Sequence, residues 1–411
     1  MNTLGQIKPI IGITGTNGKT SSILMAKFIL QANGCKPLTA DTWKGAANFL
    51  RLTKQLQAEA WDCLLVEVPA EALQQKKIAI ENFAAGALTN LSLDHLTTCR
   101  TPKQYLNTKA SFLNGLPQNA KLIINADDPQ ALALAEEGHV EYITYATSYP
   151  NAMLVAKNIR QHGFATQFEL TLSAEINTFT QTVISPGSAK VVLPLLGRHN
   201  VSNALLAAAI ALLCLGDLQA VAKSLSRLPG IRRNLEIITP SPVLAIDDAA
   251  HNPAAIQAAL TAIESLNHKR TLLLHGIYGR GGHILNQNNA RQLSAWLKKY
   301  RQNRLFVTSS LYHTKNKYQV RISEEKAFLH ELKENGIDFA YYPHLPDAVD
   351  SMLKEAKTGD LILFLGGHVL NRARDFFPSG DKKLQANLLI ASEFMVPAAS
   401  PDLQNLSFNP S

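Results

Sequence analysis

Residues 11–20 read IGITGTNGKT, and this stretch decides what kind of fold begins the chain. Gly12 and Gly18, followed directly by Lys19 and Thr20, have the spacing typical of a phosphate-binding loop. The apolar run before the loop predicts a short buried strand, and the apolar positions after it recur at helical spacing. A strand, a glycine-rich turn and a helix together direct backbone N–H groups and a helix N-terminus at phosphate. The stretch therefore predicts an ATP-binding site.

The residues of this loop have separate chemical tasks. The Lys19 ammonium is suited to the β- and γ-phosphate oxygens, and the Thr20 hydroxyl is suited to Mg²⁺. A glycine-rich turn that binds nothing is the alternative, but strand, glycines, lysine, hydroxyl and helix all agree with the binding interpretation. We expect the nucleotide to be held by one continuous run: Gly15, Thr16, Asn17, Gly18, Lys19, Thr20 and Ser21.

Composition and charge narrow the class of protein. The 411 residues are 46% hydrophobic, enough for two or three domains. The four cysteines form no C-x-x-C pair, which argues against a zinc site or a disulfide framework. We expect no signal peptide before the loop, and the apolar run 204–216 is too short to span a bilayer, so a cytoplasmic protein without a membrane partner is expected.

The formal net charge of +8 raises the question of nucleic-acid binding. Basic residues are spread along the chain, and no interleaved pattern of aromatic and basic residues appears. The charge therefore favours anionic small-molecule substrates, and we expect no nucleic-acid partner.

The order of apolar segments predicts an α/β fold with a mostly parallel sheet, a small antiparallel sheet and a second Rossmann-like sheet. Short strands alternate with helices up to about residue 130, which is typical of a doubly wound, mostly parallel sheet. Residues 140–195 contain β segments without helices between them, which predicts a small antiparallel sheet. After LPG at 228–230 the alternation restarts and predicts a second Rossmann-like domain of about five strands. We place domains at 1–228 and 229–380 and a partly flexible extension at 381–411.

Polar residues follow several predicted strands, where ligands of such sheets bind. Glu67 ends the strand in LLVEVPAEAL and is suited to holding Mg²⁺ beside Thr20, although an exposed strand-end glutamate would look the same. Asp94 and His95 follow the strand in ALTNLSLDHL, where the imidazole is suited to a second Mg²⁺. Lys109, in YLNTKASFL, lies on a predicted helix and means little alone.

Two asparagines open the apolar helix in LLGRHNVSNALLAAAIA. Asn200 and Asn203 are three residues apart, so both amides share one face of the helix. They are suited either to contacting the edge of an adenine ring or to capping the helix.

Taken together and in order, these motifs resemble the Mur ligase superfamily over residues 10–265. That group includes the muramoyl-peptide ligases, folylpolyglutamate synthetase and the C-terminal half of cyanophycin synthetase. The motifs are GTNGKT, EV, TN-x-x-x-DH, Y-x-x-x-K, NADDP, G-x-HN-x-x-N, PG-x-RR-x-x-E and D-x-AHNP. The resemblance implies that ATP converts a substrate carboxylate to an acyl phosphate, which an amine then attacks to give an amide, ADP and phosphate.

The resemblance also implies individual roles. Lys19, Glu67, His95 and Lys109 would be catalytic; Thr20, Glu67, His95 and Lys109 would hold Mg²⁺, with Lys109 carbamylated by CO₂. Asn200 and Asn203 match the adenine-contacting positions. Contacts to ATP from the second domain would come from Arg232 or Arg233 and from Asp248.

The chain departs from the muramoyl-peptide ligases at several places. We expect no domain for a uridine nucleotide before the loop. EVPA stands in place of EVSS, and GIYGRGGHILNQ at 276–287 lacks the usual Arg–Asp pair. We expect a ligase that joins an acidic acceptor to an amino acid or peptide, in cell-wall-like chemistry. The alternatives are glutamylation of the folylpolyglutamate type and a non-catalytic ATP-binding partner subunit. The oligomeric state is left open.

Overall fold

The computed structural model describes residues 8–41, 60–75, 79–91, 102–138, 140–315 and 318–377. The chain divides into two compact units. The first contains Met1–Leu235 and Asn252–Asn267, and the second contains Glu236–His251 and His268–Ser411. The predicted boundaries at 228 and 380 stay predictions.

The first unit alternates strands and helices before a run of strands alone. Its strands are β1 (Ile10–Thr14), β2 (Pro37–Asp41), β3 (Cys63–Glu67), β4 (Ala85–Leu88), β5 (Lys121–Asn125), β6 (Glu141–Ala146), β7 (Leu154–His162), β8 (Ala165–Leu172), β9 (Ile176–Asn177), β10 (Val183–Ile184) and β11 (Gly187–Leu193). Its helices are α1 (Lys19–Ala32), α2 (Ala70–Gln74), α3 (Pro102–Asn114), α4 (Pro129–Glu136), α5 (Arg198–Leu215), α6 (Leu218–Leu225) and α7 (Pro253–Glu264), with a 3₁₀ turn at Ile80–Asn82.

Nine described strands of this unit form one sheet, in the order β11-β8-β7-β6-β5-β4-β1-β3-β2. Strands β1 to β6 pair in parallel, β7 pairs in parallel with β6, and β8 pairs antiparallel with both β7 and β11. The α/β fold class is confirmed. Two details differ from expectation. The antiparallel strands continue the main sheet, and EYITYA (β6) pairs in parallel with β5 because helix α4 forms the crossover between these two strands.

Strand β1 and helix α5 lie in the core of the first unit. The strand β1 is buried on both faces, as expected for a parallel sheet covered by helices. Helix α5 is buried at nearly every position from Asn200 to Leu213 and packs against α1. Within the described residues it is the one helix long and apolar enough to cross a bilayer, but 67% of that 18-residue window is buried inside the protein.

The second unit is a six-stranded sheet with helices, counted over its described residues. Its strands are β12 (Glu236–Thr239), β13 (Leu244–Asp248), β14 (Thr271–Gly276), β15 (Arg304–Thr308), β16 (Ala340–Tyr342) and β17 (Leu361–Leu365). The order is β12-β13-β17-β14-β15-β16, and all neighbours are parallel except β12 with β13. Its helices are α8 (Gly282–Lys299), α9 (Ile322–Glu334) and α10 (Leu345–Glu355), with 3₁₀ turns at His368–Leu370 and Ala373–Phe376.

The Rossmann-like second sheet was expected, with two differences in detail. The antiparallel edge strand β12 had not been predicted, because EIIT is short and half-buried at three of its four positions. The apolar spacing predicts a helix at 288–300, but α8 begins six residues earlier, at Gly282, where the absence of a Cβ permits the positive φ of 76°.

Candidate active site

The phosphate loop joins β1 to α1, and its conformation depends on two glycines. Gly15 has φ 131° and Gly18 has φ 85°, values that L side chains rarely adopt. A Cβ atom at Gly15 would lie 1.9 Å from Thr89 Oγ1, so the loop packs directly against the end of β4. Gly12, which had been read as part of the loop, lies inside β1 against the ring of Phe112. The loop proper therefore runs from Gly15 to Thr20.

The loop is built to receive negative charge. Gly18 is the N-cap of α1 and no side chain caps the helix, so the first-turn N–H groups have no partner within the helix. The first turn of α1 contains no acidic residue. The Lys19 ammonium donates hydrogen bonds to the carbonyl oxygens of Gly15 (2.9 Å) and Thr16 (2.8 Å). A cation and a helix N-terminus therefore converge on one concave loop, the arrangement that favours phosphate.

The two predicted magnesium ligands at this edge do meet. The Thr20 hydroxyl donates to Glu67 Oε2 at 2.7 Å, and Glu67 ends β3 beside β1. Both groups are hard oxygen donors, the type that Mg²⁺ prefers, and octahedral ligands at its bond length lie about 3 Å apart. The pair therefore fits two positions around a magnesium ion. Among the described residues, no cluster of three or more His, Cys, Asp or Glu side chains could hold a metal unaided.

Lys109 lies against the same loop although it is 90 residues away in sequence. It is 1% exposed, and its ammonium donates to Thr14 Oγ1 (2.8 Å) and to the Gly15 carbonyl (3.2 Å). Thr14 in turn donates to the Val68 carbonyl at 2.8 Å. Lys109 is thus buried against the phosphate loop, where its charge would act on a phosphate held there. The predicted ligand His95, with Asp94, lies outside the described residues.

Thr89 and Asn90, which directly follow β4, contact the phosphate loop from one side. Asn90 Oδ1 accepts from the Asn17 N–H (3.0 Å), Asn90 Nδ2 donates to the Asn17 carbonyl (3.1 Å), and the Thr16 N–H donates to the Asn90 carbonyl (3.0 Å). The Thr89 hydroxyl is 2% exposed and lacks a hydrogen-bond partner within the described structure. A buried hydroxyl without a partner beside Gly15 is suited to donate a hydrogen bond to an oxygen atom of a ligand.

The two asparagines of α5 differ in what they can do. Asn200 is fully buried, and its amide donates to the Leu196 carbonyl (2.8 Å) and to Asn234 Oδ1 (2.9 Å) while its oxygen accepts from Asn234 (2.8 Å) and Asn203 (3.2 Å). All four hydrogen-bonding positions of Asn200 are therefore used inside the protein. Asn203 lies closer to the phosphate loop, because a Cβ atom at Gly18 would be 2.2 Å from Asn203 Oδ1.

Asn234 connects this pair to α1, since its Nδ2 donates to Ser21 Oγ at 2.9 Å. It also hydrogen-bonds to His199, but burial is the larger influence and lowers the pKa of His199 to about 4. That imidazole is therefore neutral at physiological pH. The neighbours of Asn234 have positive φ values, 58° at Arg233 and 47° at Leu235.

The remaining predicted nucleotide ligands are placed as follows. Arg232 is exposed and Arg233 is half-buried, both in the first unit. Asp248 ends β13 of the second unit, is 7% exposed, and accepts from the Ala250 N–H at 2.8 Å.

The carboxyl edge of the second sheet contains two pairs of neighbouring rings, one tilted and one stacked. The His251 and Tyr278 rings lie 4.5 Å apart, and the Tyr318 and His368 rings lie 3.9 Å apart. Tight glycines adjoin them: a Cβ at Gly367 would lie 2.9 Å from the Tyr278 ring.

A buried carboxylate organises the 279–283 loop at this edge. Glu324, 1% exposed, accepts from the Gly282 N–H (2.8 Å) and the Arg321 N–H (2.9 Å). The 279–283 loop is thus fixed at Gly282 by the first turn of α9.

Sequence patterns assign no role at the site to Thr14, Asn234 or Asn252, although Asn252 stands in the D-x-AHNP motif. Thr14 ends an apolar strand and Asn234 follows two arginines, so neither has a local signal. Asn252 did have one, because an asparagine directly before a proline at a helix start is a typical N-cap.

Comparison with known families agrees with this geometry. The Mur ligase middle domain matches residues 13–211, and the Mur ligase, glutamate ligase domain matches residues 233–368. Together they cover most of the chain, and the first includes the phosphate loop, Glu67, Lys109 and Asn203.

Individual relatives cover nearly the whole chain. The UDP-N-acetylmuramate–L-alanine ligase of Acetivibrio thermocellus is 26% identical over 392 residues, which are 93% of this chain and 75% of the relative. The UDP-N-acetylmuramoyl-L-alanyl-D-glutamate–2,6-diaminopimelate ligase of Bacillus licheniformis is 26% identical over 389 residues, 87% of this chain and 73% of the relative. The folylpolyglutamate synthase of Mycobacterium tuberculosis, solved with ADP and AMPPCP, has the same fold, with a TM-score of 0.66, 16% identity and 92% of both chains covered. The chain therefore belongs to the Mur ligase family of ATP-dependent ligases, which join a carboxylate to an amine.

Proposed function

We propose that this protein activates an acidic acceptor with ATP and joins it to the amine of an amino acid or peptide. The observation that carries the proposal is the concave loop formed by Gly15–Thr20, in which the Lys19 ammonium and the α1 N-terminus converge beside the Thr20–Glu67 oxygen pair. No other described part of the chain combines these features.

The first step transfers the γ-phosphoryl group of ATP to a carboxylate oxygen of the acceptor. The terminal P–O bond breaks, ADP leaves, and an acyl phosphate forms. Both reactants are anions, so the site must offset their repulsion and hold them in line. Lys19 and the first-turn N–H groups of α1 supply positive charge on the phosphate side. Mg²⁺, when bound through Thr20 and Glu67, would neutralise further charge on the phosphates.

We propose that Lys109 becomes a further magnesium ligand of this site. Its buried nitrogen lies 2.8 Å from Thr14 Oγ1 beneath the loop. Loss of a proton from the Lys109 ammonium, followed by reaction of the resulting amine with CO₂, would give a carbamate and release a second proton, so that an anion replaces a cation. A carbamate here is suited to holding a second magnesium with His95, in keeping with the family resemblance.

The nucleotide base is proposed to lie at the start of α5. Asn203, whose Oδ1 faces the position of a Gly18 side chain, is the better placed of the two predicted contacts. Asn200 positions Asn203 through the 3.2 Å hydrogen bond between their amides. Arg232 or Arg233 and Asp248 are proposed to contact ATP as well.

In the second step the amine nitrogen attacks the acyl phosphate, the tetrahedral intermediate loses phosphate, and the nitrogen loses a proton. We propose that the amine substrate is recognised at the carboxyl edge of the second sheet, by the 279–283 and 366–368 loops. Relatives named for L-alanine and for 2,6-diaminopimelate show that the added amino acid varies within the family. The predicted domain limits and the cytoplasmic location belong to this proposal.

The test is a screen of amino acids against acidic acceptors for stimulated ADP release, followed by mass spectrometry of the product. With the stimulating pair, an acceptor labelled with ¹⁸O in its carboxylate is expected to deliver one label to inorganic phosphate, because the acyl phosphate retains the acceptor oxygen. Transfer of no label would contradict carboxylate activation.

Matched variants separate the alternatives. Lys19→Ala is expected to abolish ATP-dependent turnover, whereas Lys157→Ala, an exposed lysine on β7, is expected to leave it unchanged. Stimulation by glutamate with a folate acceptor would favour the folylpolyglutamate alternative. ATP binding without turnover by any pair would favour a non-catalytic subunit.

A further inference from the structure

Asn252 has two separate structural roles at the start of α7. Its Oδ1 accepts from the Ala255 N–H at 3.0 Å, which makes it the N-cap of the helix, and Pro253 follows at the first helical position. The side chain is also paired with the phosphate loop. Its Nδ2 donates to Asn17 Oδ1 at 2.8 Å, and Asn17 Nδ2 donates back to Asn252 Oδ1 at 3.3 Å. Both residues belong to the first unit, and Asn252 is 1% exposed.

The pair completes the restraint of Asn17. Asn90 holds the backbone N–H and carbonyl of Asn17 at 3.0 and 3.1 Å, and Asn252 holds both polar atoms of its side chain. Asn17 therefore has all of its hydrogen-bonding groups engaged, directly before Gly18 and the helix N-terminus. A loop held in its binding conformation needs less ordering when its ligand arrives, so it binds more tightly.

The capping role of Asn252 does not account for the N–H₂ group of its side chain. Serine, threonine and aspartate cap helices about as well as asparagine, because the cap needs only an oxygen acceptor. The N–H₂ group of Asn252 is thus not required by α7, yet it makes the shorter of the two contacts with Asn17. The amide is explained by the loop and not by the helix.

We propose that Asn252 is a positioning residue that preorganises the phosphate loop through Asn17 for nucleotide binding. This inference rests on the proposed binding of ATP at that loop. It adds a residue more than 230 positions away in sequence to the determinants of ATP affinity.

The first test uses two Asn252 variants that keep the helix cap. Asn252→Ser removes the donor to Asn17, and the dissociation constant for ATP is expected to rise about tenfold with a nearly unchanged melting temperature. Asn252→Asp also removes the donor and adds a negative charge near the phosphates, so a larger rise is expected. Asp217→Ser, which changes the N-cap of α6, is the control and is expected to leave ATP affinity unchanged.

The second test is a double-mutant cycle measured by calorimetry with ATP and Mg²⁺. If Asn252 acts through Asn17, Asn17→Ala with Asn252→Ser will bind no more weakly than Asn17→Ala alone. Additive losses would overturn the proposal, and so would an Asn252→Ser variant that binds ATP as well as the wild type. In both of those cases the proposed function stands. A wild-type protein that does not bind ATP would instead overturn the proposed function itself and this inference with it.

Discussion

Replacing Gly18 by alanine tests the phosphate loop, and replacing Gly34 at the other end of the same helix by alanine is the control. Gly18 is the N-cap of α1 and has φ 85°, and Gly34 follows the C-terminal end of the helix and has φ 84°. A Cβ at Gly18 would lie 2.2 Å from Asn203 Oδ1, whereas a Cβ at Gly34 meets nothing within 4 Å. The two substitutions therefore share the backbone penalty and differ in the collision.

The expected magnitudes follow from these contacts. A left-handed alanine costs about 1–2 kcal/mol, which is the whole expected loss in the free energy of unfolding for Gly34→Ala. At Gly18 the overlap adds about 1–3 kcal/mol, because the Asn203 amide must move and its hydrogen bond to Asn200 is strained. Gly18→Ala is therefore expected to cost about 2–5 kcal/mol.

Urea unfolding of both variants, with calorimetric titration of ATP, measures the difference. Gly18→Ala is expected to weaken ATP binding at least about tenfold, because a shifted N-cap moves the first-turn N–H groups, while Gly34→Ala binds normally. Adding Asn203→Ala should recover part of the stability lost in Gly18→Ala by removing the collision. Equal destabilisation by Gly18→Ala and Gly34→Ala, with normal ATP binding in both, would refute the reasoning.

Three further predictions concern single side chains. Glu67→Gln should raise the Mg²⁺ concentration needed for half-maximal turnover without weakening the fold, since the amide keeps the contact with Thr20 but loses the charge; an unchanged Mg²⁺ titration would contradict the assignment. Lys109→Ala should abolish turnover and recover partly with added acetate or formate, which replace the carbamate; full activity of Lys109→Ala without additives would exclude the carbamate. His275 stacks on Phe328 with ring centroids 5.1 Å apart, and burial lowers the pKa of His275 to about 3. The neutral imidazole therefore contributes fully to the free energy of unfolding above pH 6.5, and this contribution is lost as the pH falls toward 3. His275→Leu should therefore reduce the slope of melting temperature against pH in that window, and an identical slope would show that other groups set it.

The parts of the site that were predictable are the local ones. GTNGKT is a continuous segment in which each residue's conformation follows from its neighbours, so the loop, the start of α1 and the position of Lys19 could be read directly. Glu67 was also accessible, because the end of a parallel strand has a fixed place at the sheet edge.

The parts that could not be predicted depend on distant pairing. Asn234 and Asn252 reach α1 and the loop from more than 200 residues away, and no local pattern marks a side chain whose partner is set by packing. The antiparallel strands were recognised as strands, but alternation of apolar residues does not specify which neighbour a strand takes. The early start of α8 was hidden by glycines that usually indicate a turn.

Helix α5 has a consequence for how the protein is made. Every described strand of the large sheet precedes it in the chain, so a ribosome produces all nine of these strands before the helix that packs against them emerges. Until then, apolar side chains that are later packed against α5 face water and are available to other nascent chains. Fragments that end before Arg198 should consequently aggregate or recruit chaperones, whereas fragments that extend beyond Leu215 should become far more tractable.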